Sequence, residues 1–138
     1  MTKMEWYGDD VLREVRKRLP WAVNEACVIV QGAAKALAPV QDGGLRGSIV
    51  IEEINEYSAK IGPSIEYDAY VEFGTGLYAE GGKGRKTPWV YKHPKYGFIR
   101  TKGMVAQPYM RPAADNNRQR VADTLKVAIG QAVTAGAK

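Results

Sequence analysis

Few residues in this chain could carry out catalysis or bind a metal. His93 is the only histidine, and it lies in Tyr91-Lys92-His93-Pro94 with no carboxylate or nucleophile close to it in the sequence. Cys27 is the only cysteine, which excludes a disulfide within the chain and a cysteine-rich metal site. We expect it to be a small buried core residue. The sequence therefore predicts neither a catalytic triad nor a zinc site, and no enzyme, cofactor or metal.

One glycine-rich segment has a weak likeness to a phosphate-binding loop. Gly81–Thr87 places Lys83 beside glycines, as such loops do. The required spacing would put a glycine at Leu77, and Gly84 stands where a serine or threonine is needed. We therefore do not interpret this segment as a nucleotide site.

The strongest chemical signal is a block of positive charge. Eight of the 20 Lys and Arg residues lie between Gly81 and Ala114, a span without any of the 15 Asp and Glu residues, so this block accounts for the whole net charge of +5. Its basic residues are Lys83, Arg85, Lys86, Lys92, Lys95, Arg100, Lys102 and Arg111. Aromatic residues alternate with them, namely Trp89, Tyr91, Tyr96 and Phe98.

Three interpretations of this block stay open from the residues alone. It can be a solvated, mobile loop. It can contact nucleic acid, with Lys and Arg on phosphates and aromatic rings stacked on unpaired bases. It can also be a protein–protein contact, in which aromatic residues and arginine are favoured anchors.

Length and composition indicate one globular domain, residues 1–138. A hydrophobic fraction of 45% with 25% charged residues is ordinary for a soluble protein. No apolar run approaches the length of a membrane span, and the first ten residues lack the apolar region of a secretory signal. The isoelectric point near 9.3 permits contact with an acidic partner.

The elements that position these residues begin with a long helix. Apolar residues recur at helical spacing over Asp9–Ala38, with Asp9 or Asp10 as the predicted cap and Pro39 just beyond the end. Pro20 interrupts the pattern, so we expect a kink or two abutting helices there.

A hairpin follows the turn-rich connector at 39–44. The alternating apolar residues of Ser48–Ile54 and Tyr57–Gly62 predict two strands, joined by a turn at Asn55-Glu56. Its glutamates could suggest acid–base chemistry, but no basic or metal-binding partner lies near them. We expect Glu52, Glu53 and Glu56 to be solvated on the exposed side of the sheet.

The middle of the chain is harder to assign. Tyr67–Phe73 predicts a short helix ended by Gly74 in a left-handed conformation, although a strand stays an alternative. Glycines and prolines make Thr75 to about Lys95 irregular, and we treat residues 75–97 as one flexible basic loop.

A third strand and a last helix complete the predicted fold. Phe98–Thr101 is the candidate strand, and Pro108–Pro112 leads into a helix that ends near Val133, with Asp115 and Asn116 in its first turn. The predicted class is α+β, with the N-terminal and C-terminal helices packed on one face of a small, mainly antiparallel sheet.

Three segments together resemble a known family. They are Ala34–Ile49, Tyr67–Gly76 and Ala106–Ala113, which occur in this order over most of the chain. They closely resemble the tailed-phage family of small neck and tail-completion proteins named after gene product ten of a lambdoid phage. Gln41-Asp42-Gly43-Gly44 departs from the usual Asp-Thr-Gly-Asn of that family. The matching scaffold residues are Pro39, Gly43, Leu45, Ser48, Tyr70, Glu72, Phe73, Gly74, Pro108, Arg111 and Pro112.

The resemblance implies a structural virion protein at the head–tail junction. Such a neck or tail-completion ring would be a hexamer in the simplest case, would join the portal-side connector to the tail, and would contact other neck and tail proteins. It would assemble in the host cytoplasm, with no membrane and no small-molecule substrate. The basic loop would then line a channel, with transient contact to passing DNA, or dock on the neighbouring ring. The alternative function is a nucleic-acid-binding module without sequence specificity.

The two later motifs each contain one charged residue that could join them. Glu72 lies in the second motif and Arg111 in the third. We predict that they form an ion pair across the intervening loop.

Overall fold

The computed structural model describes residues 3–39, 43–65 and 68–137. It confirms the α+β class. In chain order, the elements are α1 Gly8–Leu37, α2 Gly44–Ser48, β1 Ile49–Asn55, β2 Ser58–Pro63, α3 Asp68–Phe73, 3₁₀ turns at Gly76–Tyr78 and Glu80–Gly82, β3 Trp89–His93, β4 Gly97–Thr101, α4 Met110–Asp115 and α5 Arg118–Gly136. No helix of this described part is long and apolar enough to cross a membrane.

The first helix is longer and more regular than the proline suggested. α1 is one helix of 30 residues that includes Pro20, so the alternative of two abutting helices is wrong, while a bend there stays a prediction. Its cap is Tyr7, without a side-chain hydrogen bond, so the predicted aspartate cap is also wrong. Asp9 and Asp10 lie instead within the first turn, where their negative charge still favours the helix dipole.

The two long helices pack along each other through small residues. Ala22 and Ala26 of α1 and Ala128 and Ala132 of α5 are all buried. A side chain on Gly136 would lie 2.6 Å from the Cα of Val11, so the end of α5 passes close to the start of α1. α1 also packs on the first hairpin, and α5 packs chiefly along α1.

The first hairpin agrees with its prediction. β1 and β2 pair antiparallel from Ile49↔Pro63 to Asn55↔Ser58. The turn lies at Glu56-Tyr57, one position later than expected, and the Asn55 side-chain oxygen accepts a 2.8 Å hydrogen bond from the backbone N–H of Tyr57. Its three glutamates are exposed, as predicted.

The core lies where the C-terminal end of α1 meets α2, α3 and α4. Its buried residues are Ala34, Ala38, Leu45, Ile49, Val71, Tyr109 and Ala113. Cys27 is also buried, as predicted. The sequence did not predict α2, which begins after Gly43 in the left-handed conformation with φ of 78°. Val40, Gln41 and Asp42 of the predicted connector lie outside the described residues.

The predicted loop is wrong from Trp89 onward. β3 pairs antiparallel with β4, from Trp89↔Thr101 to His93↔Gly97, and forms a second two-stranded sheet apart from the first. The third predicted strand, Phe98–Thr101, is confirmed as β4, with β3 as its partner. The aromatic and β-branched residues of Trp89-Val90-Tyr91 favour a strand more than the neighbouring prolines oppose one.

The final predicted helix consists of two helices. α4 ends at Asp115 and α5 begins at Arg118, so Asp115 does not lie in the first turn of one continuous helix. At the break, the Asn117 side-chain N–H donates to the Ala113 carbonyl at 2.8 Å. Asparagine side chains compete with helical hydrogen bonding in this way.

Candidate functional site

A buried carboxylate joins the two later sequence motifs. Glu72 lies on α3 and is only 6% exposed. Its Oε2 accepts hydrogen bonds from the backbone N–H groups of Tyr109 and Met110, at 2.9 and 3.0 Å. Its Oε1 accepts from the backbone N–H of Arg111 at 3.1 Å. Glu72 therefore caps the first turn of α4 from a distant part of the chain, where unpaired N–H groups favour a negative charge.

The guanidinium of Arg111 completes this arrangement and extends it. Its Nε donates to Glu72 Oε1 at 2.9 Å, which confirms the predicted ion pair. Its two terminal nitrogens donate to both carboxylate oxygens of Glu80 at 2.9 and 3.0 Å, and one also donates to the Glu72 carbonyl at 3.0 Å. The guanidinium carbon lies 4.8 Å from the ring centroid of Phe73. We call Glu72, Phe73, Glu80 and Arg111 the glutamate clamp.

The clamp alters the acidity of its members. Burial raises the pKa of Glu72, but hydrogen bonds from three backbone N–H groups and from Arg111 outweigh burial and lower it below its ordinary 4.5. The hydrogen bond from Arg111 lowers the pKa of Glu80, and the two carboxylates raise the pKa of Arg111. All three groups are charged at neutral pH.

One cation of the basic block is used inside the fold, in the glutamate clamp. Arg111 belongs to that block in the sequence, but two carboxylates neutralise it in the fold. Glu80 is the partner that sequence reasoning missed. It lies immediately before the block, in the 3₁₀ turn Glu80–Gly82, and no spacing rule connects it to a residue 31 positions later.

Hydrogen bonds between residues 75–77 and 102–104 fix the base of the β3–β4 hairpin. We call this contact the glycine seam. The backbone N–H of Thr75 donates to the Met104 carbonyl at 2.9 Å, and that of Leu77 donates to the Lys102 carbonyl at 3.0 Å. The Met104 N–H donates to the Thr75 hydroxyl at 2.8 Å. Gly76 and Gly103 let these backbones approach, because a Cβ at either position would collide with the opposite chain.

The hairpin has one open face. Directly paired residues of an antiparallel sheet share a face, so the register puts Val90, Lys92, Phe98 and Arg100 together. All four are exposed, and Phe98 is 77% exposed. On the other face, Trp89 and Ile99 are half-buried and the Arg85 guanidinium lies 5.6 Å from the Trp89 ring centroid. We call the four exposed residues the basic hairpin face.

His93 has a structural role in the turn of this hairpin. Its Nδ1 accepts hydrogen bonds from the backbone N–H groups of Lys95 and Tyr96, at 3.0 and 3.2 Å. Its ring centroid lies 4.8 Å from that of Tyr96. Across the described ranges, no cluster of three or more histidine, cysteine, aspartate and glutamate side chains could hold a metal ion.

The predicted interface residues separate into two groups. Lys83, Arg85 and Lys86 lie in the loop before the hairpin, and Lys92, Lys95, Arg100 and Lys102 lie on or beside it. All seven are exposed, and none forms an ion pair with the part of the chain that the structure describes. Of the aromatics, Tyr96 is 68% exposed and Tyr91 is 41% exposed.

The predicted scaffold residues also differ in their environment. Leu45, Ser48 and Glu72 are buried, whereas Tyr70 is 59% exposed. The fully buried aromatic of these motifs is Tyr109, which the sequence did not single out. Its place as the aromatic residue of the third motif, just before α4, is the signal that could have identified it.

Comparison with known proteins identifies the family. The model of the HK97-gp10-like family, described as "Bacteriophage HK97-gp10, putative tail-component", matches residues 1–74, which include α1, both strands of the first hairpin and α3. The basic hairpin face and Arg111 lie beyond the matched range. No curated protein and no solved structure gives a significant match. Since the family model matches more than half of the chain, the protein belongs to the HK97-gp10-like family of phage tail components.

Proposed function

We propose that the protein is a structural component of the phage head–tail junction, where it forms a ring that joins the portal-side connector to the tail. The family membership supports a role in the virion. The observation that carries the finer proposal is the basic hairpin face, an exposed surface whose base is fixed by hydrogen bonds between residues 75–77 and 102–104. A closed ring needs such head-to-tail contacts between different surfaces of identical subunits.

The unpaired charge of the hairpin supports an assembly role. Seven exposed cations lie between Lys83 and Lys102 in the sequence, without ion-pair partners among the described residues. Their mutual repulsion opposes the compact state, and an acidic partner relieves it. We infer that this partner is another virion component.

The test is removal of the gene from the phage that carries it. We expect DNA-filled heads and separate tails that fail to join, seen by negative-stain electron microscopy. Complementation with the wild-type gene should restore joined particles, and the Lys92→Glu/Arg100→Glu variant should not. Normal particles in the deletion strain would contradict the proposed role.

Contact with nucleic acid is the second candidate function. The observation in its favour is the combination of Lys92 and Arg100 with the exposed rings of Tyr96 and Phe98. A channel lining calls for weak, salt-sensitive phosphate contacts, whereas a dedicated binding module would bind tightly as a monomer. Fluorescence anisotropy with single-stranded and duplex oligonucleotides at increasing salt separates these outcomes.

A further inference from the structure

A short segment before α1 exposes apolar side chains. Residues 3–7 form neither a helix nor a strand. Met4 is 86% exposed and Trp6 is 80% exposed, the highest values among the large apolar side chains that the structure describes. In an extended segment, residues two positions apart lie on the same side, so Met4 and Trp6 can meet one apolar surface together. We call residues 3–7 the arm.

Little fixes the arm to the rest of the protein. Lys3 pairs with Glu5 at 3.5 Å, and the Tyr7 hydroxyl donates to the same carboxylate. The Trp6 ring lies close to Gly8 at the start of α1. In the described part of the chain, the side-chain hydrogen bonds and ion pairs of the arm are all within the arm. Exposed pairs of this kind contribute little to stability, so the arm can move to another surface at a small cost in free energy.

An apolar cavity of about 280 Å³ opens between α1, β2 and α5. Its lining includes aliphatic side chains of all three elements and the single thiol, namely Val23, Cys27, Val30, Ile61, Val121 and Leu125. An aromatic side chain in such a cavity loses its contact with water and gains close packing. The cavity therefore fits an apolar side chain of a partner.

A second cavity, of about 330 Å³, adjoins the first at the tip of the first hairpin, and Val23, Ser58 and Ala59 line both. It contains two carboxylates, Glu53 and Glu56, which form no ion pair among the described residues. No described lysine or arginine lines either cavity, so the charge of the carboxylates is not offset there. We call the two cavities the α1 groove. It fits a segment that has apolar side chains and a cation.

The arm cannot place Trp6 in the apolar cavity of its own chain. Trp6 precedes Gly8 by two residues, which span at most about 7 Å. Along the continuous α1 helix, Gly8 and Val23 are about 22 Å apart. The cavity is therefore accessible only to the arm of another copy.

We propose that the arm of one copy docks in the α1 groove of the next copy. Trp6 enters the apolar cavity with Met4 beside it, while Lys3 exchanges Glu5 for Glu53 or Glu56. The arm and the groove are different surfaces at separate places along α1, so the contact is head-to-tail and can close into a ring. This inference rests on the proposed ring and names a contact that builds it.

A second copy is the occupant that these surfaces favour. It supplies arms and grooves in equal numbers, and each covers the apolar side chains of the other. It also leaves the basic hairpin face open for another virion component.

Removal of the tryptophan tests the contact. A tryptophan buried at the centre of an interface is a typical hot spot, so Trp6→Ala should raise the concentration needed for assembly by roughly 30-fold. Trp21→Ala is the matched control, because Trp21 is 63% exposed on α1 and lines neither cavity. It should assemble like the wild type. Analytical ultracentrifugation measures the concentration, and circular dichroism checks that each variant is folded.

Cross-linking tests the location of the arm. Tyr57 lines the apolar cavity and is 46% exposed, so a cysteine there is accessible. Protein with Met4→Cys and Tyr57→Cys, treated with a short bismaleimide, should give a ladder of covalent oligomers on a denaturing gel. The matched control pairs Met4→Cys with Tyr91→Cys, since Tyr91 is 41% exposed on the other hairpin, and should give no ladder.

The outcomes distinguish the arm contact from the ring itself. A ring that tolerates Trp6→Ala, or that gives no ladder with Met4→Cys/Tyr57→Cys, overturns the arm contact and leaves the ring proposal standing. Equal losses for Trp6→Ala and Trp21→Ala also overturn it. Normal rings of Trp6→Ala that fail to join heads to tails assign the arm to a different virion protein. A wild-type protein that stays monomeric at every concentration overturns both proposals.

Discussion

Replacing Glu72 by glutamine tests the physical account of the glutamate clamp. Glutamine keeps the length of the side chain but removes the charge and directs an N–H₂ group at donors that need an acceptor. Three of those donors are the backbone N–H groups of Tyr109, Met110 and Arg111, and the fourth is Nε of Arg111. The substitution therefore removes a helix cap and half of an ion pair without creating a cavity.

The expected loss of stability lies between that of losing a helix cap and that of breaking a buried ion pair. Loss of an N-terminal cap costs about 1 kcal/mol, and removal of one member of a fully buried ion pair costs about 3–5 kcal/mol. The Glu72 side chain is 7% exposed but that of Arg111 is 44% exposed, so the pair is only partly shielded from water. We expect Glu72→Gln to lower the free energy of unfolding by about 2–3 kcal/mol.

Urea unfolding followed by far-ultraviolet circular dichroism measures this change at protein concentrations below assembly. The midpoint of thermal unfolding should fall by roughly 10 °C. Glu53→Gln is the matched control, because Glu53 is exposed on β1 and should change stability by no more than about 0.5 kcal/mol. A loss for Glu72→Gln as small as that of the control would refute the clamp as a stabilising element.

Three further predictions concern acidity and close packing. The folded-state pKa of Glu72 lies below its ordinary 4.5, so the contribution of its charge to stability is complete above pH 4.5 and falls as the pH drops through the folded pKa. Urea unfolding between pH 3 and 7 should therefore show a larger loss of stability toward low pH for the wild type than for Glu72→Gln. Gly76→Ala should destabilise the protein more than Gly97→Ala in thermal unfolding, since both glycines have positive φ but only Gly76 would collide with the Lys102 carbonyl. Cys27 is buried and burial raises its pKa, so its thiol should react with Ellman's reagent many times faster in urea than in the folded protein.

Local patterns were sufficient for much of this fold. The periodicity of α1, the alternation in the first hairpin and the left-handed Gly74 that ends α3 are properties of short windows of sequence. The pair between Glu72 and Arg111 was also predictable, because each is the charged member of one of the two later motifs.

The features that the sequence did not reveal depend on contacts between distant segments. Pro88 and Pro94 flank β3 and indicated a loop, yet β4 supplies the hydrogen-bonding partner that makes Trp89–His93 a strand. Glu80 appeared to be an ordinary surface acid, since nothing local shows that Arg111 reaches it from 31 positions away. In both places, a contact between residues that are distant in the sequence determined the structure.

The charge of the basic block thus divides into two parts with different physical roles. Arg111 lies between two carboxylates and its charge is used within the fold, whereas the seven other cations have no such partner in the described part of the chain. If the block served only solubility, a fixed base for the hairpin would bring no advantage, because solvated charges need no defined position. The glycine seam instead fixes the hairpin base, and the clamp joins the segments before and after the hairpin, before any partner binds. A surface held in advance loses less conformational freedom on binding, which favours assembly from weak individual contacts.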